Sequence, residues 1–113
     1  MFKFLSKLFA GVPSMDIDTY LADYQGKNNH ILIDVRTPDE FKSGHVAKAK
    51  NIPLNTISKK MKSIPKDKTV VLMCRTGNRS GMAARQLASA GYDNVINLKG
   101  GILRWQADGH LVK

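Results

Sequence analysis

The single cysteine of the chain lies in a short polar segment whose residue types suit nucleophilic chemistry. The segment reads Cys74-Arg75-Thr76-Gly77-Asn78-Arg79-Ser80. It follows an apolar run at residues 69–73, which is typical of a buried strand, and it precedes a helix-like stretch at residues 81–90. Backbone N–H groups of such a loop, and the positive end of the following helix, favour an anion at the loop's centre. The pattern therefore predicts a thiol with a lowered pKa, and the thiolate is the nucleophilic form of cysteine.

The other side chains of this segment are suited to holding an anion. Arg75 and Arg79 can bind anionic oxygens through charge-assisted hydrogen bonds. Gly77 can adopt a positive φ that curls the loop around a ligand. Thr76 and Asn78 are small and leave room for the anion. We therefore interpret residues 74–80 as an anion cradle around a reactive cysteine.

Two positions of the segment also have a purely structural interpretation. For Ser80 we favour a cap at the start of the following helix over a hydrogen bond to the thiolate, since serine at a helix start needs no further role. Arg75 has the alternative of a surface arginine paired with a carboxylate.

The composition is that of one small globular domain. The chain has 113 residues, of which 42% are hydrophobic and 24% charged, and this length suits a single modest core. No apolar run approaches the roughly 20 residues that a membrane-spanning helix needs. Residues 1–50 carry seven basic and six acidic side chains, and residues 51–113 carry eleven and three. The more basic part contains Cys74, which suits a small anionic substrate. Since we find no nucleic-acid motif or aromatic-flanked basic stripe, nucleic acid is not a predicted partner.

One cysteine limits both the location and the chemistry of the chain. It excludes an internal disulfide, so a reduced, cytoplasmic setting is the natural interpretation. It also leaves no second cysteine to resolve an adduct, so whatever forms on Cys74 must pass to another molecule. His30, His45 and His110 have no ligand-like spacing with Cys74 or with one another. We therefore predict neither a metal site nor a cofactor.

The first thirteen residues are set apart from the rest of the chain as a short amphipathic segment. On a helical wheel one side carries Phe2, Phe4, Leu5, Leu8 and Phe9, and the other carries Lys3, Ser6 and Lys7. A helix this short is marginal in isolation. We favour packing of residues 1–10 against their own domain or a partner chain, with weak contact to a membrane surface as the alternative. The break at Gly11-Val12-Pro13 is a poor match to a cleaved signal peptide.

Strands and helices alternate along the remaining sequence. Helices are predicted from Ser14 or Asp16 to Tyr24, from a Thr37 cap with Pro38 and Glu40 in a capping box, at 55–62 and at 81–90. Strands are predicted at 31–35, 50–52, 68–73 and 94–98. This order predicts an α/β fold with a mostly parallel central sheet and helices on both faces. Ligands of such sheets bind beyond the carboxyl ends of the strands, which is where Cys74 lies.

Several motifs occur in an order that resembles the rhodanese family. Besides residues 74–80 they are Ile33-Asp34-Val35-Arg36, Gly44-His45-Val46, Asn51-Ile52-Pro53, Leu98-Lys99-Gly100-Gly101 and Trp105. The resemblance covers roughly residue 14 to the C-terminus, the size of a single-domain member. It implies a rhodanese-like domain at 14–113, preceded by the segment 1–13.

The resemblance implies a thiosulfate sulfurtransferase. The Cys74 thiolate would attack the outer sulfur of a donor such as thiosulfate, and sulfite would leave a persulfide on Cys74. A thiophilic acceptor, such as cyanide, a thiol or a protein, would then remove the sulfur. Backbone N–H groups of residues 75–79 would stabilise the persulfide.

Outside the loop, the resemblance assigns supporting roles to three residues. Asp34 and Arg36 are expected to form a buried pair that pins the neighbouring loops, and His45 is expected to hold a loop by hydrogen bonds. Gly100, Gly101 and Trp105 are expected at turn and packing positions.

Other functions remain open at this point. A sulfur-relay or persulfide-carrier module would serve a protein partner instead of turning over small donors. A cysteine-dependent phosphatase or arsenate reductase is less favoured, since four residues separate Cys74 from Arg79 here and five do so in such phosphatases. A non-catalytic binding domain usually lacks the cysteine. Residues 47–50 (Ala-Lys-Ala-Lys) depart from the family's usual small, turn-forming stretch, which leaves the preferred donor or partner open.

Overall fold

The computed structural model describes residues 11–113, and three apolar strands form the centre of its sheet. These strands are β2 (His30–Asp34), β4 (Thr69–Met73) and β5 (Val95–Leu98), with the short β1 (Ser14–Met15) and β3 (Lys50–Asn51) at the two edges. The strand order is β1-β5-β4-β2-β3, and every pair is parallel. Residues 70–73 of β4 are fully buried, as expected of a central strand covered on both faces.

Helices cover both faces of this sheet. They are α1 (Ile17–Asp23), α2 (Pro38–Lys42), α3 (Ile57–Lys60), α4 (Asn78–Ser89) and α5 (Gly101–Ala107), with 3₁₀ turns at Leu54–Thr56 and Met61–Ser63. The predicted α/β fold with a mostly parallel sheet and helices on both faces is therefore confirmed.

Alternation along β4 decides which face the cysteine joins. Val70 and Leu72 point into one buried cluster, which they share with residues of α3 and α4. Val71 and Met73 point into a second cluster, which contains Trp105 of α5. Because side chains alternate along a strand, Cys74 continues the first set and faces α4.

The helix boundaries agree with the sequence in some places and differ in others. Thr37 and Glu40 form the predicted capping box, with Pro38 in the first turn of α2. Asp16 caps α1, whereas the alternative cap, Ser14, lies in β1 and pairs with Asn97. The helix predicted at 55–62 contains only one four-residue α-helical turn between two 3₁₀ turns.

The largest correction concerns α4, which begins at Asn78 and not at residue 81. Gly77 has a φ of +117° and precedes the first helical residue. A left-handed glycine lets the chain turn within one residue, so the helix starts directly after the loop. Ser80 is consequently inside the first turn and is not the cap.

The prediction that residues 1–10 contact the domain, a partner or a membrane concerns a segment outside the described residues, and the division at residue 13 stays a prediction. Within residues 11–113, no helix is both long and apolar enough to cross a membrane.

Candidate active site around Cys74

The loop at the carboxyl end of β4 is closed by a contact within itself. The backbone N–H of Gly77 donates a hydrogen bond to Sγ of Cys74 at 3.1 Å. Cys74 is only 1% exposed, whereas Arg75, Thr76 and Asn78 are exposed. The thiol therefore lies at the bottom of the loop, beneath three exposed side chains.

Burial and hydrogen bonding act in opposite directions on the Cys74 thiol. Burial raises its pKa because it penalises the charged form. The hydroxyl of Ser80 and the backbone N–H groups of Ser80, Gly77 and Thr76 lower the pKa, and together they outweigh burial. The net pKa is below the ordinary value of a cysteine thiol, in the direction that the sequence predicts. Hydrogen-bond donors are the main cause, in addition to any field of the arginines.

Ser80 contacts the cysteine directly, so the preferred interpretation as a helix cap alone is wrong. Its side chain is fully buried, and its Oγ lies 3.3 Å from Sγ of Cys74 and 2.6 Å from Oδ1 of Asn97. A hydroxyl has one hydrogen to donate, and the thiolate and the amide oxygen both accept it well. The Ser80 hydroxyl can therefore donate its hydrogen to Asn97 when Cys74 is a neutral thiol and to the sulfur when Cys74 is a thiolate.

Asn97 is a site residue that the sequence analysis missed. Its Nδ2 donates to the carbonyl oxygen of Gly77 at 3.0 Å, and its Oδ1 accepts from Ser80. It lies in β5, in register with Leu72 of β4, which brings it beside the loop. The available signal was an asparagine within the otherwise apolar run of Val95–Leu98.

The start of α5 fixes the backbone of the loop from the other side. Ile102 N–H donates to the carbonyl of Cys74 at 2.9 Å, and Leu103 N–H donates to the carbonyl of Arg75 at 3.1 Å. Gly101, with a φ of +58°, lies so close that a Cβ there would overlap both carbonyl oxygens. The loop carbonyls therefore point into α5, away from the thiol.

Arg79 forms a bidentate ion pair with Glu40. Its Nη1 and Nη2 lie 2.7 Å and 2.9 Å from Oε1 and Oε2 of Glu40. This bond is the first cause that lowers the pKa of Glu40 to about 2. Glu40 is the second site residue that the sequence analysis missed, because it was assigned only to the capping box. The role of Arg79 in anion binding stays a prediction.

Asp34 and Arg36 form a buried ion pair beside this arrangement. Arg36 Nη2 lies 2.8 Å from Oδ2 of Asp34, and the guanidinium also donates to the carbonyls of Gly44 and Glu40 at 2.7 Å and 3.1 Å. The pair therefore holds the backbone of α2, from which Glu40 reaches Arg79. These contacts suit the supporting role expected of both residues.

His45 contacts the same region of the fold. Its Nδ1 lies 2.9 Å from the carbonyl oxygen of Phe41, and its ring stacks on the Phe41 ring. Its backbone pairs with Lys113. Across residues 11–113, no group of three histidine, cysteine or carboxylate side chains is arranged to hold a metal ion.

Comparison with known proteins identifies relatives of the whole described domain. The family model of the rhodanese-like domain matches residues 18–108. A protein of Allochromatium vinosum named "Sulfurtransferase" is 39% identical over 98 residues, which are 87% of this chain and 89% of that protein. "Adenylyltransferase and sulfurtransferase UBA4" of Candida albicans is 36% identical over 92 residues, which are 74% of this chain but 21% of that protein. A crystal structure of a rhodanese-related protein from Thermoplasma volcanium superposes with a TM-score of 0.81 at 30% identity, covering 89% of this chain and 97% of that one.

Proposed function

The chain belongs to the family of rhodanese-like domains, and from this premise we propose that it is a sulfurtransferase that carries sulfane sulfur on Cys74. The observation that carries the proposal is the environment of Sγ: buried, yet bonded by the Gly77 N–H and next to the Ser80 hydroxyl. These donors stabilise a thiolate, and the same donors can stabilise the terminal sulfur of a persulfide.

The proposed reaction has two displacement steps. In the first, the Cys74 thiolate attacks the outer sulfur of thiosulfate, the S–S bond of the donor breaks, and sulfite leaves with the bonding electron pair. A persulfide then remains on Cys74. In the second, cyanide or a thiolate attacks the outer sulfur, and Cys74 leaves as the thiolate that began the cycle. Each step moves one sulfur atom without a net redox co-reactant, and the covalent intermediate divides the transfer into two easier parts.

The loop provides the proposed binding site for the donor's oxygens. Its members are Arg75, Thr76, Gly77, Asn78, Arg79 and Ser80. Arg75 is exposed and forms no ion pair among the described residues, so its guanidinium is available to an anionic donor. Arg79 is held by Glu40, and we expect it to add positive potential more than direct contacts.

A second candidate is sulfur relay to or from a protein partner. It is favoured by the lone cysteine, since the persulfide has no thiol within the chain to receive it. The similarity to the Candida albicans adenylyltransferase and sulfurtransferase also supports it, although this chain spans a fifth of that protein. The chemistry at Cys74 is the same in both candidates, and only the donor and acceptor differ.

Intact mass spectrometry under non-reducing conditions tests the proposal. After incubation with thiosulfate, wild type should gain the mass of one sulfur atom, Cys74→Ser should gain none, and cyanide should reverse the gain. If thiosulfate fails but a persulfide-bearing protein donor loads Cys74, relay is the function. If neither donor loads Cys74, sulfur transfer is rejected, and cleavage of an aryl phosphate that vanishes in Cys74→Ser would instead show a phosphatase.

A further inference from the structure

A groove lies beside the amino-terminal half of β2, away from the cysteine. Its volume is about 570 Å³. It is lined by the turn at residues 25–28, by residues 30–32 of β2 and by residues 46–48 with Lys50. Since β2 and β4 are parallel, with His30 opposite Thr69, this half of β2 lies at the amino end of the sheet. Cys74 follows the carboxyl end of β4. The groove and the candidate active site are therefore separate.

One wall of the groove is an incomplete sheet edge. β4 pairs with all of His30–Asp34, but β3 pairs only with Ile33 and Asp34. In the described part of the chain, residues 30–32 thus have a strand neighbour on one side alone. The open side of a strand presents backbone donors and acceptors that can pair with a further strand.

The rim of the groove is positively charged. Lys27, Lys48 and Lys50 line it, and Lys68 lies next to it with Nζ 3.4 Å from Oδ1 of Asn28. Among residues 11–113 no carboxylate lines the groove, and none lies within 4 Å of the amino group of Lys48 or Lys50. The ammonium groups of these two lysines are therefore not neutralised by the described part of the chain.

Lys48 occupies a position that a lysine adopts at a cost. Its φ is +68°, and it is the only residue other than glycine with a positive φ in the described chain. The left-handed conformation is strained for a residue with a Cβ, and glycine would avoid that strain. Strained positions concentrate at functional sites. A function of the Lys48 side chain would explain why a lysine, and not a glycine, occupies this strained position.

We propose that this groove binds an extended acidic segment of a partner protein. The backbone of the segment pairs with the open side of residues 30–32, and its carboxylates contact Lys48 and Lys50. An extended chain fits because only a strand can use the sheet edge, and an acidic one fits because the rim carries lysines without carboxylates. The docking site lies outside the Cys74 loop, so peptide binding can be tested independently of sulfur transfer.

Fluorescence anisotropy with the full chain provides the test. The probe is a short labelled peptide of alternating glutamate and valine, and its counterpart carries glutamine in place of glutamate. We expect the glutamate peptide to bind, and the double variant Lys48→Gln/Lys50→Gln to weaken it about tenfold. The matched control is Lys59→Gln/Lys60→Gln, which removes the same charge from exposed positions on α3 and should weaken binding less than about twofold. Cys74→Ser should bind as wild type does.

Backbone amide NMR of the full chain locates the bound peptide. The glutamate peptide should shift the amides of His30 and Leu32 and leave those of residues 75–80 in place. Equal weakening by the two double variants would show attraction by net charge alone and would overturn the proposal. It would also be overturned by absence of binding, by equal binding of the glutamine peptide, or by contacts of residues 1–10 with His30–Leu32 that the peptide does not displace.

Discussion

At the scale of single residues, the state of the Cys74 sulfur depends on a small number of donors. A buried thiol resists ionisation, because the thiolate loses its hydration. Here the Ser80 hydroxyl and the Gly77 N–H replace that hydration at 3.3 Å and 3.1 Å. Asn97 holds both donors, since it bonds the Ser80 hydroxyl and the Gly77 carbonyl. The reactivity of the cysteine therefore depends on these donors, of which the Ser80 hydroxyl can be removed by a substitution.

Removing the Ser80 hydroxyl should raise the pKa of Cys74. In wild type, the rate of alkylation by iodoacetamide should rise with pH around a midpoint below about 8.5, the ordinary thiol value. In Ser80→Ala that midpoint should move up, because burial remains and the hydrogen bond that lowers the pKa most is lost. Ser89→Ala, an exposed serine on the same helix, should keep the wild-type profile. A wild-type midpoint at or above 8.5, or no movement in Ser80→Ala, would contradict the assignment.

The Glu40–Arg79 pair should make stability fall in acid. Hydrogen bonds from Arg79, and to a smaller extent from Thr37, lower the pKa of Glu40 from 4.5 to about 2. A carboxyl with a depressed folded-state pKa stabilises the fold above its unfolded pKa, and this stabilisation is lost as the pH falls from about 4.5 to about 2. Because about a third of each side chain is exposed, solvent screens the pair, and we expect about 0.5–1 kcal/mol at neutral pH.

Urea unfolding at pH 6 and at about pH 2 measures this effect, because the first value lies above the window and the second at its lower end. Glu40→Gln should be less stable than wild type at the higher pH and nearly equal to it at the lower. Arg79→Gln should reduce the same dependence, since it removes the largest cause of the pKa shift and leaves the hydrogen bonds from Thr37. If the acid dependence of wild type survives unchanged in Glu40→Gln, it belongs to another carboxylate.

At the scale of elements, the amino end of α5 fixes the backbone of the Cys74 loop. The N–H groups of Ile102 and Leu103 donate hydrogen bonds to two carbonyls of the loop. This approach is only possible because residue 101 has no side chain. Because the carbonyls are bonded to α5, the N–H groups of the loop can face the sulfur. The direction of the loop's peptide groups thus depends on a helix that begins 27 residues after Cys74.

Adding one methyl group at Gly101 should therefore damage the site. Gly101→Ala should displace the carbonyls of Cys74 and Arg75, lower sulfur transfer by at least about tenfold, and cost about 1–3 kcal/mol of stability. Gly109→Ala is the matched control, because Gly109 also has a positive φ, +84°, but has open space around its Cβ position. It should cost about 1–2 kcal/mol through backbone strain alone and leave the transfer rate per folded molecule unchanged. Equal rate losses in the two variants would indicate general destabilisation.

The elements that carry strong local signals could be predicted from the sequence. β2 and β4 follow from their apolar runs, and the start of α2 follows from Thr37, Pro38 and Glu40. Two-residue β1 has too few residues to show a pattern, and it exists because it pairs with β5. α4 starts earlier than expected because Gly77 turns the chain at once.

The composition of the site was only partly predictable for a different reason. Cys74, Gly77 and Ser80 are neighbours in sequence, so the motif placed them in one loop, although it favoured a helix cap over a hydrogen bond to the sulfur for Ser80. Glu40 is 39 residues from Arg79, and Asn97 is 17 residues from Ser80. A single sequence contains no signal that pairs such distant side chains. Their positions depend on sheet order, which brings β5 beside β4.

At the scale of the whole molecule, the charge is large for the size. The formal net charge is +9, and the described part of the chain, residues 11–113, measures 39 × 29 × 25 Å. At about 0.01 M salt the Debye length is about 30 Å, so nearly every charge contributes to the potential at Cys74. At about 0.15 M it is about 8 Å, and only near neighbours such as Arg75 contribute. Salt can therefore separate the general field from the local cations.

Alkylation of Cys74 by a charged and by a neutral reagent of similar size should measure the contribution of the net charge and that of the nearby cations. The rate of alkylation by iodoacetate is divided by the rate with iodoacetamide. The intrinsic reactivity of the thiol cancels in this ratio, which then reports how strongly the positive potential at Cys74 attracts an anionic reagent. We expect the ratio to fall several-fold between about 0.01 M and 0.15 M salt, as positive potential is screened. Arg75→Gln should lower the ratio at both salt concentrations, because Arg75 is adjacent to Cys74 in the loop. Lys59→Gln/Lys60→Gln should lower it only at low salt. A ratio independent of salt would show that the net charge does not draw anions to the cysteine, and anion capture would then depend on loop contacts alone.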